Sequence, residues 1–314
     1  MSKAALTLGI DCGGTNVKMA LVNARGKILH STLQKIDYDC APKKSVAAIA
    51  IGAKNYLREQ NVESVGSIGL GIAGDVDPMT GSVRFSPNLG WKNVAFGKML
   101  RAYFDVPVRI ANDANCAALG AYFLDAKQDC QNLICLTLGT GVGGGIILNG
   151  KLYSGSSGGA GEIGHMSLKQ DGRACKCGNF GCLESVVGAW GIIETARQGL
   201  KQNRAPILKK MLKQGQEISP KLIADAADAG DNFCKEVWQR TGEYLGAGLV
   251  NLVNIFNPQR IVLSGGVSKS GDRFLQPALK ILSERAFESS AKMVKVSLSK
   301  FDERLGVVGA ALLQ

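Results

Sequence analysis

Three of the nine cysteines in this 314-residue chain, Cys175, Cys177 and Cys182, lie within one eight-residue stretch. One of only two histidines, His165, precedes that stretch by ten residues. Three thiolates and one imidazole complete the tetrahedral shell of a structural zinc ion and leave no position open for water. One residue separates Cys175 from Cys177, where about two to four is usual. Disulfides are the competing interpretation, but one across so short a spacing would be strained, so we predict zinc.

Glutamates stand at both ends of this stretch. Glu162 lies three residues before His165, and Glu184 lies two residues after Cys182. An imidazole that binds a metal through one nitrogen keeps the other for a hydrogen bond. We therefore expect the two carboxylates and the imidazole to converge on ligand hydroxyl groups, each of which both donates and accepts, as in a sugar. The alternative for Glu184 is an exposed carboxylate at the start of a helix.

A further carboxylate, Asp113, follows a short apolar strand pattern and precedes an alanine-rich helical stretch. Phosphoryl transfer to a hydroxyl group needs a carboxylate near the acceptor oxygen, together with magnesium and donors that spread charge on the moving group. The position of Asp113 between two halves of the chain suits that role, and Asn112 beside it suits binding of a polyol. The alternative is that Asp113 only caps the helix.

Three glycine-rich turns directly follow apolar strand patterns. The first, DCGGTN beginning at Asp11, lacks the ending of a Walker A loop and leads into a strand, unlike the dinucleotide turn. Its backbone N–H groups could still bind an anion, with Thr15 adding a hydroxyl, Lys18 a charge and Asp11 a ligand for hydrated magnesium. GTGVGGG at 139–145 and SGGV at 264–267 are similar. Each alone fits ordinary turn chemistry, but together they predict a nucleotide site.

The chain reads as two similar halves. LTLGIDCGGTNVKMALVNARGKIL near the start and LICLTLGTGVGGGIILNGKL from 133 both predict a strand, a glycine turn, a strand, a tight turn and a strand. This favours an ancient duplication with a cleft between the halves and a boundary near 112–116. The alternative is two unrelated hairpins, since turn chemistry alone favours glycine. The patterns also predict strands at 65–72, 106–111, 260–263 and 294–298, and helices at 45–57, after 112, over most of 185–255 and at 305–313.

Composition favours a globular protein and argues against a membrane-spanning, secreted or nucleic-acid-binding protein. The chain is 46% hydrophobic and 20% charged, and no apolar run reaches the roughly 18 residues of a membrane span. The first residues lack the long apolar region of a secretory signal, so we expect a cytoplasmic protein with reduced cysteines. The net charge of +11 comes without a compact basic run interleaved with aromatics. We therefore expect neither a nucleic-acid nor a membrane partner.

Eight motifs, in order over nearly the whole chain, resemble those of the ROK family of bacterial sugar kinases and related repressors. They are LGIDCGGTNVK (8–18), GLGIAGDVD (69–77), SPNLGWKN (86–93), IANDANCAALG (110–120), LTLGTGVGGGII (136–147), GGAGEIGHMSL (158–168), CKCGNFGCLES (175–185) and IVLSGGV (261–267). The resemblance implies an α/β protein with the actin-like ATPase (ribonuclease H-like) fold, in which a cleft separates two α/β domains. We expect 1–113 plus 304–314 to form the first domain, with the C-terminal helix packed back onto it, and 114–303 the second, with the zinc loop.

The resemblance also implies roles for individual residues. Asp113 resembles the family's catalytic base. The expected ATP contacts are Gly13, Gly14, Thr15, Gly139, Thr140, Gly141, Gly265 and Gly266. The expected sugar contacts are Asn88, Asn112, Asp113, Glu162, His165 and Glu184. The expected zinc ligands are His165, Cys175, Cys177 and Cys182. Members of the family are usually dimers or tetramers, so a homodimer or homotetramer is expected.

The function that the resemblance implies is ATP- and Mg²⁺-dependent phosphorylation of a hexose, with glucose the favoured substrate. Kinases for N-acetylmannosamine, N-acetylglucosamine, fructose and allose share these residues, and inorganic polyphosphate could replace ATP. Repressors of the family carry an N-terminal helix-turn-helix domain, whereas the first phosphate turn here begins at Asp11. We therefore expect an enzyme. The second hypothesis is a catalytically silent, sugar-sensing regulator that binds sugar without turnover.

Overall fold

The computed structural model describes residues 6–13, 16–35, 41–86 and 89–313. The chain divides into two compact units: unit 1 comprises 1–135, 145–161 and 300–314, and unit 2 comprises 136–144 and 162–299. Within the described ranges, no helix combines the length and the apolar character that crossing a membrane requires.

The described residues form three sheets, a series of helices and two 3₁₀ turns, Ile163–His165 and Gly266–Ser270. The strands are β1 (Thr7–Cys12), β2 (Asn16–Val22), β3 (Ile28–Lys35), β4 (Ser67–Ile72), β5 (Asp75–Val76), β6 (Val83–Ser86), β7 (Trp91–Val94), β8 (Val108–Asn112), β9 (Leu133–Leu138), β10 (Val142–Leu148), β11 (Lys151–Leu152), β12 (Arg260–Ser264) and β13 (Lys295–Leu298). The helices are α1 (Pro42–Glu59), α2 (Phe96–Arg101), α3 (Asp113–Leu124), α4 (Glu184–Val187), α5 (Ala189–Lys201), α6 (Pro206–Lys213), α7 (Pro220–Asp228), α8 (Asn232–Phe256), α9 (Asp272–Arg285), α10 (Glu288–Met293) and α11 (Asp302–Ala311).

The first sheet, in unit 1, has the strand order β3-β2-β1-β4-β8. Strands β1, β2 and β3 are antiparallel neighbours, whereas β1, β4 and β8 run parallel. The apolar residues of β1 and β4 are fully buried, as is typical of parallel strands covered on both faces. Because parallel strands end at the same edge of a sheet, the ends of β1 and β8 bring Asp11 and Asn112 to one edge.

The second sheet has the order β11-β10-β9-β12-β13, which repeats the topology of the first. Strands β10 and β11 are antiparallel, and β12 and β13 are parallel. The repeated strand–turn–strand opening predicted from the sequence is therefore present in both sheets. The other predicted elements are also confirmed: the region 185–255 is mostly helical, and the late strands fall at β12 and β13. A small third sheet, in the order β5-β6-β7, also lies in unit 1.

The C-terminal helix α11 packs directly on the first sheet, as expected. Gly9 of β1 and Gly69 of β4 are register neighbours. A Cβ atom at Gly69 would lie 1.7 Å from the carbonyl oxygen of Ala310, and one at Gly9 would lie 2.1 Å from that of Val307. Only glycine permits this approach of two backbones, and the side chain of Val307 is fully buried as a result.

Because α11 packs so closely on the sheet, we predict that one added methyl group at Gly69 strongly lowers the stability of the protein. Gly69→Ala should lower the free energy of unfolding by about 3 kcal/mol or more, because the helix must move away from β4. Chemical denaturation measures this. Gly159→Ala is the matched control: Gly159 is exposed and a Cβ there meets only the Ser157 hydroxyl at 3.8 Å. Equal stability of the two variants would contradict the packing described for α11.

Candidate functional site

Two carboxyl groups lie at the edge of the first sheet where β1 and β8 end. The pKa of Asp11 is raised to about 6, first because it is buried and second because the charge of Asp113 is nearby, while Lys18 acts to lower it. Burial also raises the pKa of Asp113, against hydrogen bonds from its own main-chain N–H and that of Ala114. Two partly desolvated anions side by side are unfavourable, and a bound cation would relieve that cost.

The residue that caps α3 is Asn112. Its side-chain oxygen accepts hydrogen bonds from the main-chain N–H groups of Ala114 at 2.9 Å and Asn115 at 3.1 Å. Its amide nitrogen donates to the carbonyl of Gly74 at 3.0 Å. Asp113 follows as the first helical residue, and one of its oxygens accepts from the N–H of Ala114 at 3.0 Å. The alternative that Asp113 only caps the helix is therefore wrong, because Asn112 is the N-cap residue of α3.

Three further groups of unit 1 surround the carboxyl pair. A Cβ atom at Gly306 of α11 would lie 2.4 Å from Oδ2 of Asp11, so this helix closes over the carboxylate. The Nζ of Lys18, the cross-strand neighbour of Asp11, donates to the main-chain oxygen of Glu303. Burial and then the charges of Asp11 and Asp113 raise the pKa of the Cys116 thiol well above its ordinary value. Sequence reasoning missed both residues: Gly306 belongs to none of the motifs, and nothing in the spacing of IANDANCAALG (110–120) singles out Cys116.

The second and third glycine turns are neighbours in unit 2. Gly139, Thr140 and Gly141 connect β9 to β10, and the N–H of Gly139 donates to the carbonyl of Gly141 at 2.9 Å. Gly265 and Gly266 follow β12, and a Cβ at Gly265 would lie 2.6 Å from the carbonyl oxygen of Leu138. The adjacency of β9 and β12 in the sheet thus brings these two turns together.

The first glycine turn belongs to unit 1. It follows β1, and the N–H of Gly13 donates to the carbonyl of Asn16 at 3.0 Å. Gly14 and Thr15 of this turn lie outside the described residues, as does Asn88, which was predicted to contact the sugar.

The four predicted metal ligands converge in unit 2. One donor atom from each of His165, Cys175, Cys177 and Cys182 lies within 4.8 Å of the others. The Sγ of Cys175 is 3.7 Å from Nδ1 of His165, and the Sγ atoms of Cys177 and Cys182 are 3.7 Å apart. A tetrahedral zinc ion with Zn–S bonds of about 2.3 Å needs sulfur atoms about 3.8 Å apart. The donor set and its spacing therefore fit such an ion.

Backbone pairing brings these distant ligands together, in a segment we call the metal knuckle (162–184). The N–H of Leu168 donates to Gly181 at 2.8 Å, and that of Leu183 donates to Met166 at 2.9 Å. Between these pairs, the N–H of Cys175 donates to Asn179 at 2.8 Å and closes a tight turn around Cys177. The local pairing thus places Cys182 beside the segment that carries His165.

The two predicted glutamates of the metal knuckle have different surroundings. A 3₁₀ turn places residues three apart on one side, and Oε2 of Glu162 lies 3.9 Å from Nε2 of His165. Since Nδ1 of His165 faces the cysteines, Nε2 is the nitrogen left for other contacts. Glu184 is only partly exposed and begins α4. Glu184 therefore starts a helix, as the alternative predicted, but it is not the exposed carboxylate that the alternative requires.

Two side chains that stabilise the metal knuckle and the helices after it, Arg173 and Trp190, were not predicted from the sequence. Arg173 donates through Nη1 to the carbonyls of Ser185 at 2.7 Å and Gly191 at 2.8 Å. Trp190 donates through Nε1 to Oε1 of Glu184 at 3.3 Å. Arg173 lies within the cysteine-rich stretch, but its partners are not evident from spacing, because they depend on how the chain folds back.

The chain is similar to known proteins along nearly its whole length. A model of the ROK family matches residues 7–314. A glucokinase of Halalkalibacterium halodurans is 34% identical over 310 residues, which cover 98% of this chain and 94% of the relative. A xylose repressor of Caldicellulosiruptor bescii is 30% identical over 315 residues, covering 96% of this chain and 76% of the relative.

A solved structure also matches. The crystal structure of a ROK family glucokinase from Streptomyces griseus in complex with glucose and AMPPNP is 32% identical, with a TM-score of 0.81 and coverage of 98% of each chain. This likeness and the three sheets confirm the predicted fold class, the actin-like ATPase fold with two α/β domains. The predicted domain boundaries stay a prediction.

The raised pKa of Asp11 predicts a gain in stability when its charge is removed. The folded state favours the protonated carboxyl group, so the contribution of Asp11 to the free energy of unfolding declines as pH rises from about 4 to about 6. Asparagine does not titrate. Asp11→Asn should therefore gain stability relative to the wild type across this window, by on the order of 2 kcal/mol at pH 7.

Denaturation of the ligand-free protein at a series of pH values measures this difference. Asp105→Asn, at an exposed loop position, should show no such pH-dependent gain. A loss of stability in Asp11→Asn at pH 7 would contradict the electrostatic description of the sheet edge.

Because the four donor atoms converge, we predict that the protein binds a metal ion and that each cysteine is needed to bind it. The purified protein should contain about one zinc ion per chain by elemental analysis, and Cys177→Ala should lose it and unfold at a lower temperature. Cys130→Ala, which removes a buried cysteine of unit 1, should keep the metal. Unchanged zinc content in Cys177→Ala would remove this residue from the site.

Proposed function

Because the chain belongs to the ROK family, we propose that it is a sugar kinase that transfers the terminal phosphoryl group of ATP to a hexose, with glucose as the favoured substrate. The observation that carries this proposal is the pair of half-buried carboxyl groups, Asp11 and Asp113, at the edge of the first sheet. Glucose and AMPPNP are the ligands of the similar Streptomyces griseus enzyme.

Asp113 acts as the base in this proposal. The 6-hydroxyl of the sugar gives its proton to the Asp113 carboxylate, its oxygen forms a bond to the terminal phosphorus, and ADP leaves with the electrons of the broken bond. Burial raises the pKa of Asp113, which makes the carboxylate a stronger base than an exposed aspartate. Asn112, Glu162, His165, Glu184 and Asn88 are proposed to orient the sugar.

The glycine turns are proposed to bind the nucleotide. The turns at 13–15, 139–141 and 265–266 would contact phosphate oxygens through main-chain N–H groups other than those of Gly13 and Gly139, which donate within their own turns. Mg²⁺, when bound with the nucleotide, supplies positive charge that offsets charge on those oxygens, and Asp11 would hold it through its water ligands. Lys18 would add positive charge at the same turn.

Zinc is the ion proposed for the metal knuckle. His165, Cys175, Cys177 and Cys182 would hold it, and their shell leaves no open position, so the ion would be structural. Burial raises the pKa of the Cys182 thiol to about 12, and the ion must therefore displace a proton when it binds. A homodimer or homotetramer is proposed for the assembly.

The second candidate is a sugar-binding regulator without turnover. The observation that favours it is the xylose repressor, which is 30% identical over 96% of this chain. The two candidates share a sugar site and differ in whether phosphoryl transfer follows binding. Within the kinase proposal, amino sugars, fructose and allose are the alternative acceptors, and polyphosphate is the alternative donor.

A coupled assay of ADP release over a panel of hexoses and amino sugars tests the proposal. We expect turnover with ATP and glucose, and a fall of about 10²–10⁴-fold in kcat in Asp113→Asn with glucose binding retained, because only the proton acceptor is lost. Asp272→Asn, at an exposed position of α9, should keep full activity.

Two outcomes would contradict the proposal. Sugar binding without ADP release from any donor, polyphosphate included, would favour the regulator. Near-normal kcat in Asp113→Asn would remove that residue from the role of base.

A further inference from the structure

The carboxylate of Glu184 contacts the turn between β9 and β10. Its Oε2 accepts a hydrogen bond from the main-chain N–H of Val142 at 2.9 Å. A Cβ atom at Gly141 would lie 2.2 Å from the same oxygen, so the carboxylate occupies the space that any side chain at 141 would need. The turn that the proposed function assigns to nucleotide phosphates is therefore in direct contact with Glu184.

Two backbone contacts join the same turn to the segments around Glu184. The carbonyl of Gly139 accepts from the N–H of Ala189, at the start of α5, at 2.9 Å. A Cβ atom at Gly164, in the 3₁₀ turn of the metal knuckle, would lie 2.0 Å from the carbonyl oxygen of Val142. The turn thus lies against both ends of the segment that folds around the metal ligands.

The metal ligands fix the position of Glu184 from the other side. Cys182 precedes it by two residues, and Oε1 of Glu184 lies 3.9 Å from the Sγ of Cys175. The indole N–H of Trp190 donates to Oε1 at 3.3 Å. One carboxylate oxygen therefore faces the metal ligands and α5, and the other holds the turn.

We propose that Glu184 is a positioning residue that couples the metal knuckle to the turn at 139–142, so that the metal sets the geometry of the nucleotide turn. This rests on the proposed function, because the turn is taken to bind nucleotide phosphates. The role is additional to contact with sugar: each carboxylate oxygen accepts two hydrogen bonds, so the contacts to Val142 and Trp190 leave capacity for a ligand hydroxyl.

The proposal makes the nucleotide turn sensitive to the metal even when no sugar is present. Removal of the metal frees Cys175 and Cys182, the backbone around Glu184 loosens, and the N–H of Val142 loses its acceptor. Glu184→Ala removes that acceptor directly and leaves the metal ligands intact. Glu184→Gln keeps one oxygen that can accept from Val142, but it loses the charge and the second oxygen.

Hydrogen exchange of the peptide spanning 139–142, measured by mass spectrometry on the full chain without ligands, tests the coupling. Glu184→Ala and the metal-stripped wild type should both exchange about tenfold faster there than the metal-loaded wild type, and Glu184→Gln should restore most of the protection. Glu284→Ala, an exposed acid on α9, is the matched control. Elemental analysis and thermal unfolding of Glu184→Ala establish that it is folded and holds its metal.

Binding of Mg²⁺ and AMPPNP in the absence of sugar is the second arm. The dissociation constant should rise about tenfold in Glu184→Ala and in the metal-stripped protein and return toward the wild-type value in Glu184→Gln. Wild-type exchange and wild-type affinity in a folded, metal-loaded Glu184→Ala would overturn the inference and leave the proposed function standing. A wild type that binds no nucleotide would overturn the proposed function, and with it the nucleotide part of the inference.

Discussion

The partial burial of two carboxyl groups at one edge of the first sheet is the constraint on which the rest of the site depends. The parallel register of β1, β4 and β8 ends these strands together and leaves Asp11 beside Asp113. Neither group is fully solvated, and the charge of Asp113 disfavours ionisation of Asp11. Such an arrangement is unfavourable in the ligand-free protein, and a bound cation would relieve the cost.

The packing that stabilises unit 1 also builds this edge. Gly9 and Gly69 allow α11 to lie against the sheet, and the same helix presents Gly306 to the carboxylate of Asp11. Side chains at Gly9 or Gly69 would move the helix away from the sheet, and one at Gly306 would displace the carboxylate of Asp11. The packing of α11 therefore contributes both to the stability of unit 1 and to the desolvation of Asp11. A substitution at Gly9 or Gly69 would alter the solvation of Asp11 as well as the fold.

Local chemistry made much of the fold predictable from the sequence. Glycine turns after apolar runs identified both strand–turn–strand openings, the polar pair before an alanine-rich stretch identified the start of α3, and cysteine spacing identified the group of converging cysteine and histidine donors. The contacts that could not be predicted join residues far apart in sequence, such as Glu184 with Val142 and Gly306 with Asp11. Spacing carries no information on such pairs, because the register of the strands and the path of the helices decide them.

Titration of the Asp11 carboxyl group by ¹³C NMR, assigned by comparison with Asp11→Asn, is the most direct test of the central claim. In the ligand-free protein we expect a titration midpoint near pH 6, and addition of Mg²⁺ and AMPPNP should move it well below that value. A midpoint near 4 in the ligand-free protein, as for an exposed aspartate, would show that Asp11 is not desolvated beside Asp113, and no response to the nucleotide complex would show that Asp11 does not lie at its binding site.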